Sequence, residues 1–468
     1  MAASAALVAL LSVSSACAPG SPESVDLELR PCTIGGVEAE CGRLSVPENP
    51  HAPDGPRIRI SVALVRARES DPAPDPLFYL AGWGSAGIED DMGAAAPMLG
   101  EINEQRDLVF IDQRGTGGSN RLDCSVPTER EIERTGLRAY TEAARTCAEE
   151  IGPNLRYYTS SVAVDDVDRV REALGYERIN IYGGSYGVTL GLIYLQRHGS
   201  HVRSAVFDSG SLLDVHIFER AAVGGQRALE MLFDRCEADP RCGMVFPDLR
   251  DEWERLAARV ESRSIAVPGR QERLDPIMLA GLVEELLSRT PTKTILPRVI
   301  HLLATGEIET VAEMFPPTSP PTEEPAYMAL IQCSEPWASR RPPHVARLSE
   351  GTFMEPLLRR AAAITQATCR ALPRGEAPAE IGRRVRSDVP VLFLTGDEDP
   401  ADPPANVARA RRELPNSLTV VFPEAGHGQL ELPCAQDLVS EFVRAGSSEG
   451  LNTSCAATAA LLPFDTRT

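Results

Sequence analysis

Lysine is almost missing from this chain: Lys293 is the only one in 468 residues. Arginine carries the rest of the positive charge, a bias that reflects genome composition rather than mechanism. Positive charge as a whole is also short. Forty-seven basic residues against 67 acidic ones leave a formal net charge of −20. A surface of that sign excludes nucleic acid as a natural partner, because phosphate binding needs a basic face. No cysteine pair has CxxC or Cys/His spacing, so no zinc site is expected. No internal repeat is present. An apolar content of 43% with 24% charged residues excludes a chain that is disordered throughout, fibrous or polytopic.

The start of the chain reads "MAASAALVALLSVSSACAPGSPES". Its apolar segment, Ala5 to Val13, is too short to span a bilayer as a mature helix. It reads as an export signal over residues 1–16, although no basic residue precedes the apolar core. The run Ser14 to Cys17 resembles a bacterial lipoprotein cleavage site, with Ser14 where a leucine-like residue is preferred. Cys17 is therefore expected to carry a lipid and residues 17–26 to form a tether. Plain secretion is the alternative. Eleven cysteines are present, and ten remain if Cys17 is lipidated. Sequence neighbours would pair as Cys32–Cys41, Cys124–Cys147, Cys236–Cys242, Cys333–Cys369 and Cys434–Cys455. On the chain-entropy model each such bridge adds about 2–3.5 kcal/mol. Such a framework persists only in an oxidising compartment. The expected location is the cell envelope or the outside.

Strand and helix signals alternate through the first part. "RIRISVALVRA" (57–67) alternates as a strand. "DPLFYLAGWGSAG" (75–87) and "RDLVFIDQRGTGGS" (106–119) are apolar runs ending in glycines. Residues 160–176 carry Val162, Val167, Val170 and Leu174 at helical spacing, with Ser160 or Ser161 as the expected N-cap. A strand from Ile179, a helix over about 188–197 and a strand over 202–210 follow. This is the pattern of a mostly parallel sheet covered on both faces. From 212 to 385 helical segments follow one another, interrupted by the proline-rich stretch 315–325. They are expected to form an inserted helical cap. Alternation resumes with a strand over 389–396, a helix over 405–414, a strand from 417 and a last helix near 434–445. The two parts of the core would thus be 27–211 and 386–468.

Gly183-Gly184-Ser185-Tyr186-Gly187 fits G-x-S-x-G between a strand and a helix. That context is the nucleophile turn of an α/β-hydrolase, where flanking glycines allow close packing and the turn lifts the hydroxyl clear of the sheet. A bare glycine-rich turn is the bland alternative. A serine nucleophile needs a base, and the base an orienter. Of seven histidines, only His427 follows a strand near the chain end, in "PEAGHGQ". The acid should follow the preceding strand, in "TGDEDPADPP". Asp402 precedes two prolines and a helix, so it reads as an N-cap. Asp399 is preferred over Asp397. The oxyanion hole would use the amide of Tyr186 and one from Gly82 or Trp83 in "LAGWGSAG".

Together, "YGGSYGVTLGLIYLQRHGSHVRSAVFDSG", "DQRGTGGS", "TGDEDPADPP" and "AGHG" resemble the proline iminopeptidase and tripeptidyl aminopeptidase group of α/β-hydrolases. The likeness is to its exported branch with a tripeptidyl-aminopeptidase-like (TAP-like) C-terminal segment. The resemblance implies an α/β-hydrolase fold with a mostly parallel sheet and an inserted cap. It implies Ser185 as nucleophile, Asp399 as orienter and His427 as base, acting on a peptide with a free N-terminus. No cofactor or metal is called for. One departure is visible: the group usually has Gly-Gly-Pro-Gly in the oxyanion loop, and here Trp83 replaces a glycine and the proline is missing. Glu335, two residues after Cys333 in "ALIQCSEPWASR", is the expected partner for the substrate's ammonium, with a solvated glutamate as the alternative. The reading is an exported serine aminopeptidase working through an acyl-enzyme. A carboxylesterase with the same triad, or a weakly catalytic envelope binding protein, are its competitors.

Overall fold

A computed structural model describes residues 27–269, 273–315 and 325–467. The expected signal segment, tether and Cys17 lie outside them, as does most of the proline-rich stretch. Nine strands form one sheet: β1 (Arg30–Ile34), β2 (Val37–Pro47), β3 (Arg57–Val65), β4 (Leu77–Leu80), β5 (Leu108–Ile111), β6 (Ile179–Gly184), β7 (Val202–Asp208), β10 (Val391–Gly396) and β11 (Ser417–Phe422). A separate two-stranded hairpin, β8 (Ile265–Ala266) with β9 (Arg273–Leu274), lies between β7 and β10. The order across the large sheet is β1-β2-β3-β5-β4-β6-β7-β10-β11. Pairing is antiparallel from β1 to β5 and parallel from β5 to β11.

The alternation read in the sequence becomes two apolar layers. On β3, Ile58, Ile60, Val62 and Leu64 face one core cluster, while Ala63 and Val65 face the other. The central strands are buried on both faces, as parallel strands covered by helices must be. Three helices matter most for the site within the core: α1 (Ser160–Ala173), α2 (Tyr186–His198) and α6 (Pro433–Ala445). Between β7 and β10 the regular elements among the described residues are the small hairpin and helices, including α3 (Ile217–Ala238), α4 (Pro276–Ser288) and α5 (Pro325–Ser334). This insertion has its own apolar cluster, built on Leu229, Leu232, Leu256, Val283, Leu287 and Ile300.

Two local expectations are corrected. The helix over 405–414 is replaced by two short turns of 3₁₀ type, Pro404–Asn406 and Ala410–Arg412. Val407, Ala410 and Leu414 are buried. Their spacing of three and four suits an α-helix, but the tighter turns satisfy it too. The N-cap of α1 is Thr159, not Ser160 or Ser161, and its side chain caps nothing. A carboxylate from the insertion does that work instead.

All five expected disulfides are formed: Cys32–Cys41, Cys124–Cys147, Cys236–Cys242, Cys333–Cys369 and Cys434–Cys455. Such a set points to an exported protein, since a reducing compartment would not sustain it. Among the described residues no helix is long and apolar enough to cross a membrane.

Candidate active site

β6 ends at Gly184 and α2 begins at Tyr186, so the whole reversal falls on Ser185. It sits at φ 53° and ψ −116°, a conformation that costs a side-chain-bearing residue on the order of 1–3 kcal/mol. The neighbours make room for it. A Cβ on Gly183 would stand 2.4 Å from the Gly187 carbonyl oxygen, and one on Gly187 would stand 2.2 Å from that of Leu80. Helix, turn and β4 therefore touch backbone to backbone. The Ser185 amide donates to the Asp208 carbonyl at 2.8 Å, which ties the turn to β7.

His427 lies in the loop after β11. Its Nδ1 is 2.9 Å from Asp399 Oδ2. The Asp399 side chain is fully buried, while His427 keeps 24% of its side-chain surface exposed. The other Asp399 oxygen accepts the amides of Ala401 and Asp402, both at 2.9 Å. These bonds fix the carboxylate's direction. Asp397 points elsewhere: it accepts the Glu424 amide at 2.6 Å. Of the two acids weighed in the sequence, Asp399 is the one that meets the histidine. Burial opposes charge on His427, but the Asp399 carboxylate, its hydrogen bond, and the charges of Asp402 and Asp208 outweigh burial and push the imidazole up to about 9. Burial would raise Asp399, but the imidazolium and the two amides hold it below its ordinary value.

Two further acids near the histidine lie within the quoted motifs but carry no triad role in the sequence reading. Asp208, at the end of β7, accepts the Tyr182 hydroxyl at 2.7 Å and the amides of Gln429 and Leu430 at 2.8 and 3.0 Å. It braces the chain just after His427. Asp402 was read as a helix N-cap, but the helix is not there to cap. Its Oδ2 lies 4.0 Å from His427 Nδ1, and its Oδ1 accepts the Ser211 hydroxyl.

The loop after β4 passes beside the serine: a Cβ on Gly82 would be 4.0 Å from the Ser185 Cβ. Trp83, the departure noted in this loop, forms an aromatic wall. Its ring lies 5.4 Å from Tyr186, 5.1 Å from Phe218 and 5.5 Å from Trp337. Tyr186 and Trp337 stack at 5.6 Å. Trp337 lines the small pocket next to Ser185, together with Leu212, Leu213 and Ile217.

Glu335 is neither solvated nor open. It is 1% exposed. Oε1 accepts the Ser160 amide at 2.8 Å, and Oε2 accepts the Ser160 hydroxyl and the Trp337 indole N–H, both at 2.7 Å. Burial raises its pKa while these donors oppose that. The carboxylate supplies the N-terminus of α1 with an acceptor and fixes Trp337. A different acid stands open near the histidine. The end of α4 rests on the histidine loop, where the His427 amide donates to the Ser288 carbonyl at 2.5 Å and the Gly426 amide to Thr290 Oγ1 at 3.0 Å. Glu284, one turn earlier, has no hydrogen-bond or ion-pair partner among the described residues. Burial and Glu285 raise its pKa, and the charges of His427 and Arg340 act against that rise. Nothing in the amphipathic pattern of α4 singled it out.

Away from this site, Asp168, His198 and His201 have the spacing of a metal cluster. Their atoms are already engaged by Arg171, Tyr194 and Asp165, so the group reads as an ion-pair network.

Comparison with known proteins agrees with the fold. A model of the alpha/beta hydrolase fold matches residues 82–235, and a model of TAP-like proteins matches 355–455. A tripeptidyl aminopeptidase of Streptomyces coelicolor is 22% identical over 89% of this chain and 83% of its own length. The serine protease Hip1 of Mycobacterium tuberculosis is 27% identical over 39% of each chain. A proline iminopeptidase structure from Mycobacterium smegmatis covers 86% of this chain and 98% of its own at 18% identity, with a TM-score of 0.40. The nine-stranded sheet, the serine turn at its centre and these two matches make the chain an α/β-hydrolase with a TAP-like C-terminal segment, similar to the tripeptidyl aminopeptidases.

Proposed function

We propose that this hydrolase is an exported serine aminopeptidase with Ser185 as nucleophile, His427 as base and Asp399 as orienter. The observation that carries the reading is the buried Asp399 carboxylate 2.9 Å from His427 Nδ1, at the same edge of the sheet as the strained Ser185 turn. Ser185 Oγ would attack the scissile carbonyl as His427 Nε2 takes its proton. The amides of Tyr186 and of Gly82 or Trp83 would hold the oxyanion. Collapse passes the proton from His427 to the departing amine and leaves an acyl-serine. Water then attacks that ester with the histidine again as base.

The partner would be a peptide with a free N-terminus. Glu335 was the expected receiver of its ammonium, but its three donors leave it poorly placed for that role. The Glu284 carboxylate, which feels the His427 charge, has no hydrogen-bond or ion-pair partner among the described residues, and we assign the ammonium to it. A charge-assisted contact of that kind favours free amines and leaves acylated ends unpaired. Attachment to a membrane through lipid at Cys17 is the corresponding proposal for location.

The test is Ser185→Ala beside Glu284→Gln. A fluorophosphonate probe should label the wild type and not Ser185→Ala. Glu284→Gln should lower kcat/KM for a free-amine peptide by about 10²-fold, of the order of one charged hydrogen bond left unpaired, while a short acyl ester is turned over unchanged. Equal rates on free and acetylated peptides in the wild type would contradict the aminopeptidase reading, and turnover of the acyl ester with neither peptide cleaved would leave an esterase.

A further inference from the structure

We propose that Asp402 is a second positioning acid of the site, one that shares the His427 imidazolium with Asp399 and can take its Nδ1–H when Asp399 is neutral. The inference rests on His427 being the base of the serine reaction.

The geometry is specific. Asp402 is 2% exposed, with Oδ2 4.0 Å from His427 Nδ1 while Asp399 Oδ2 is at 2.9 Å. The two acids are also linked to each other, because the Asp402 amide donates to Asp399 Oδ1 at 2.9 Å. Ser211 holds the far oxygen of Asp402. Asp402 caps no helix and pairs with no basic residue other than this histidine among the described residues; its remaining partners, the Ser211 hydroxyl and the Asn406 side chain, are neutral and leave its charge uncompensated. Removing such a group from water is costly unless something nearby uses its charge. Asp402 and Ser211 also line the small pocket that touches Ser185.

Two buried carboxylates on one histidine cannot both ionise cheaply while the histidine is neutral. Burial and the Asp399 charge accordingly push Asp402 upward, and Asp399 is held low. When Ser185 gives its proton to Nε2, a positive charge forms between the two acids, and the Asp402 anion then becomes favourable. Other groups face the ring as well. Asp208 on β7 and Glu284 on α4 act on it by charge. On its own loop, Glu424 is paired with Arg235 and Glu431 with Arg289. Asp208 is already committed to Tyr182 and two amides, and Glu284 is the acid assigned to the substrate's ammonium, which leaves Asp402 to respond to the ring.

The readout is the rate of Ser185 phosphonylation by a fluorophosphonate as a function of pH, which needs no knowledge of the substrate. It reports the neutral fraction of His427. Asp402→Asn removes an anion that favours the imidazolium, so the acid limb should move to lower pH by roughly one unit. Ser211→Ala withdraws a bond that favours the Asp402 anion and should move the limb the same way by less. Asp399→Asn should react at least ~10-fold faster than the Asp399→Asn, Asp402→Asn double variant, because the second acid then orients the ring. A purely structural Asp402 would lower Tm without moving the limb. An unmoved limb in Asp402→Asn, or losses that simply multiply in the double variant, would overturn the proposal. Should Asp402→Asn fail to fold, an unmoved limb in Ser211→Ala overturns it. A wild type that never labels at Ser185 fails the serine-hydrolase reading itself, which separates the two outcomes.

Discussion

Gly187 has no space for a side chain, because the Leu80 carbonyl oxygen occupies the place a Cβ would take, at 2.2 Å. The contact is with backbone, which cannot rotate away. Gly187→Ala should therefore push α2 off β4 and turn Ser185 from its position. The expected cost is about 1–3 kcal/mol of stability, as for overpacking elsewhere. Activity should fall about 10²-fold, because a displacement near 1 Å at a nucleophile has that effect. Urea denaturation together with probe labelling would check both. Residues of this kind were legible in the sequence. Ser185 and His427 are announced by short local patterns, glycines at fixed offsets and the end of a strand. Asp399 was legible by its place three residues after Gly396. Asp402 and Glu284 were not, because their roles depend on what another segment brings near them. Asp402 was misread for a physical reason: two prolines and an apolar spacing of three and four imitate a helix start, and the chain takes 3₁₀ turns there instead.

At the level of elements, α1 shows how the insertion and the core depend on each other. Its first amide, Ser160 N–H, finds an acceptor not in a local cap but in Glu335 at 2.8 Å, 175 residues further along the chain. A carboxylate at a helix N-terminus also meets the helix dipole favourably. Glu335→Ala would leave the Ser160 amide and the Trp337 indole without their acceptor, while the Ser160 hydroxyl keeps Tyr186 as a partner. Each orphaned buried donor costs about 1–3 kcal/mol, so a loss of several kcal/mol and a looser Trp337 are expected. Peptide and ester hydrolysis should then fall in the same proportion, since the wall beside Ser185 serves both. Calorimetry with paired kinetics would measure this. A selective loss on free-amine peptides would return the ammonium to Glu335. Element types were well marked in the sequence wherever apolar periodicity ran long, as in α1, α6 and the central strands. The distant cap on α1 left no such mark.

Across the whole molecule the covalent and the polar ties divide their work. Each disulfide closes a loop of 6 to 36 residues between sequence neighbours, and none joins the insertion to the sheet. Beyond the Glu335 contact with α1 and the apolar packing of Tyr327, Leu330, Ile331 and Trp337 against the core, that junction is held by polar contacts gathered around the loops after β10 and β11. Lys293 donates to Glu398 at 2.6 Å and to the Glu424 carbonyl, Arg235 joins the same two acids, and Arg227 reaches the Asp397 carbonyl. Asp399 follows the gripped residues Asp397 and Glu398 directly in the chain. Lys293→Met would leave Glu398 buried with Arg235 alone. Breaking one side of a buried ion pair costs about 3–5 kcal/mol, and the partial compensation by Arg235 places the expected loss near the lower figure. A fall in Tm with slower labelling of Ser185 would be the signature, and an unchanged Tm would mean that Arg235 suffices.

The solitude of Lys293 gives the seam a chemical clock. No other residue carries an ε-amine, and this one is sealed at 0% exposure. An amine-acylating reagent added to the folded protein would meet no side chain to modify. Each acyl group that does arrive at Lys293 counts one parting of insertion from sheet. With any free α-amine blocked beforehand and the reagent saturating, the kinetics of a single mass increment at Lys293 would then time how often the roof over the serine lifts.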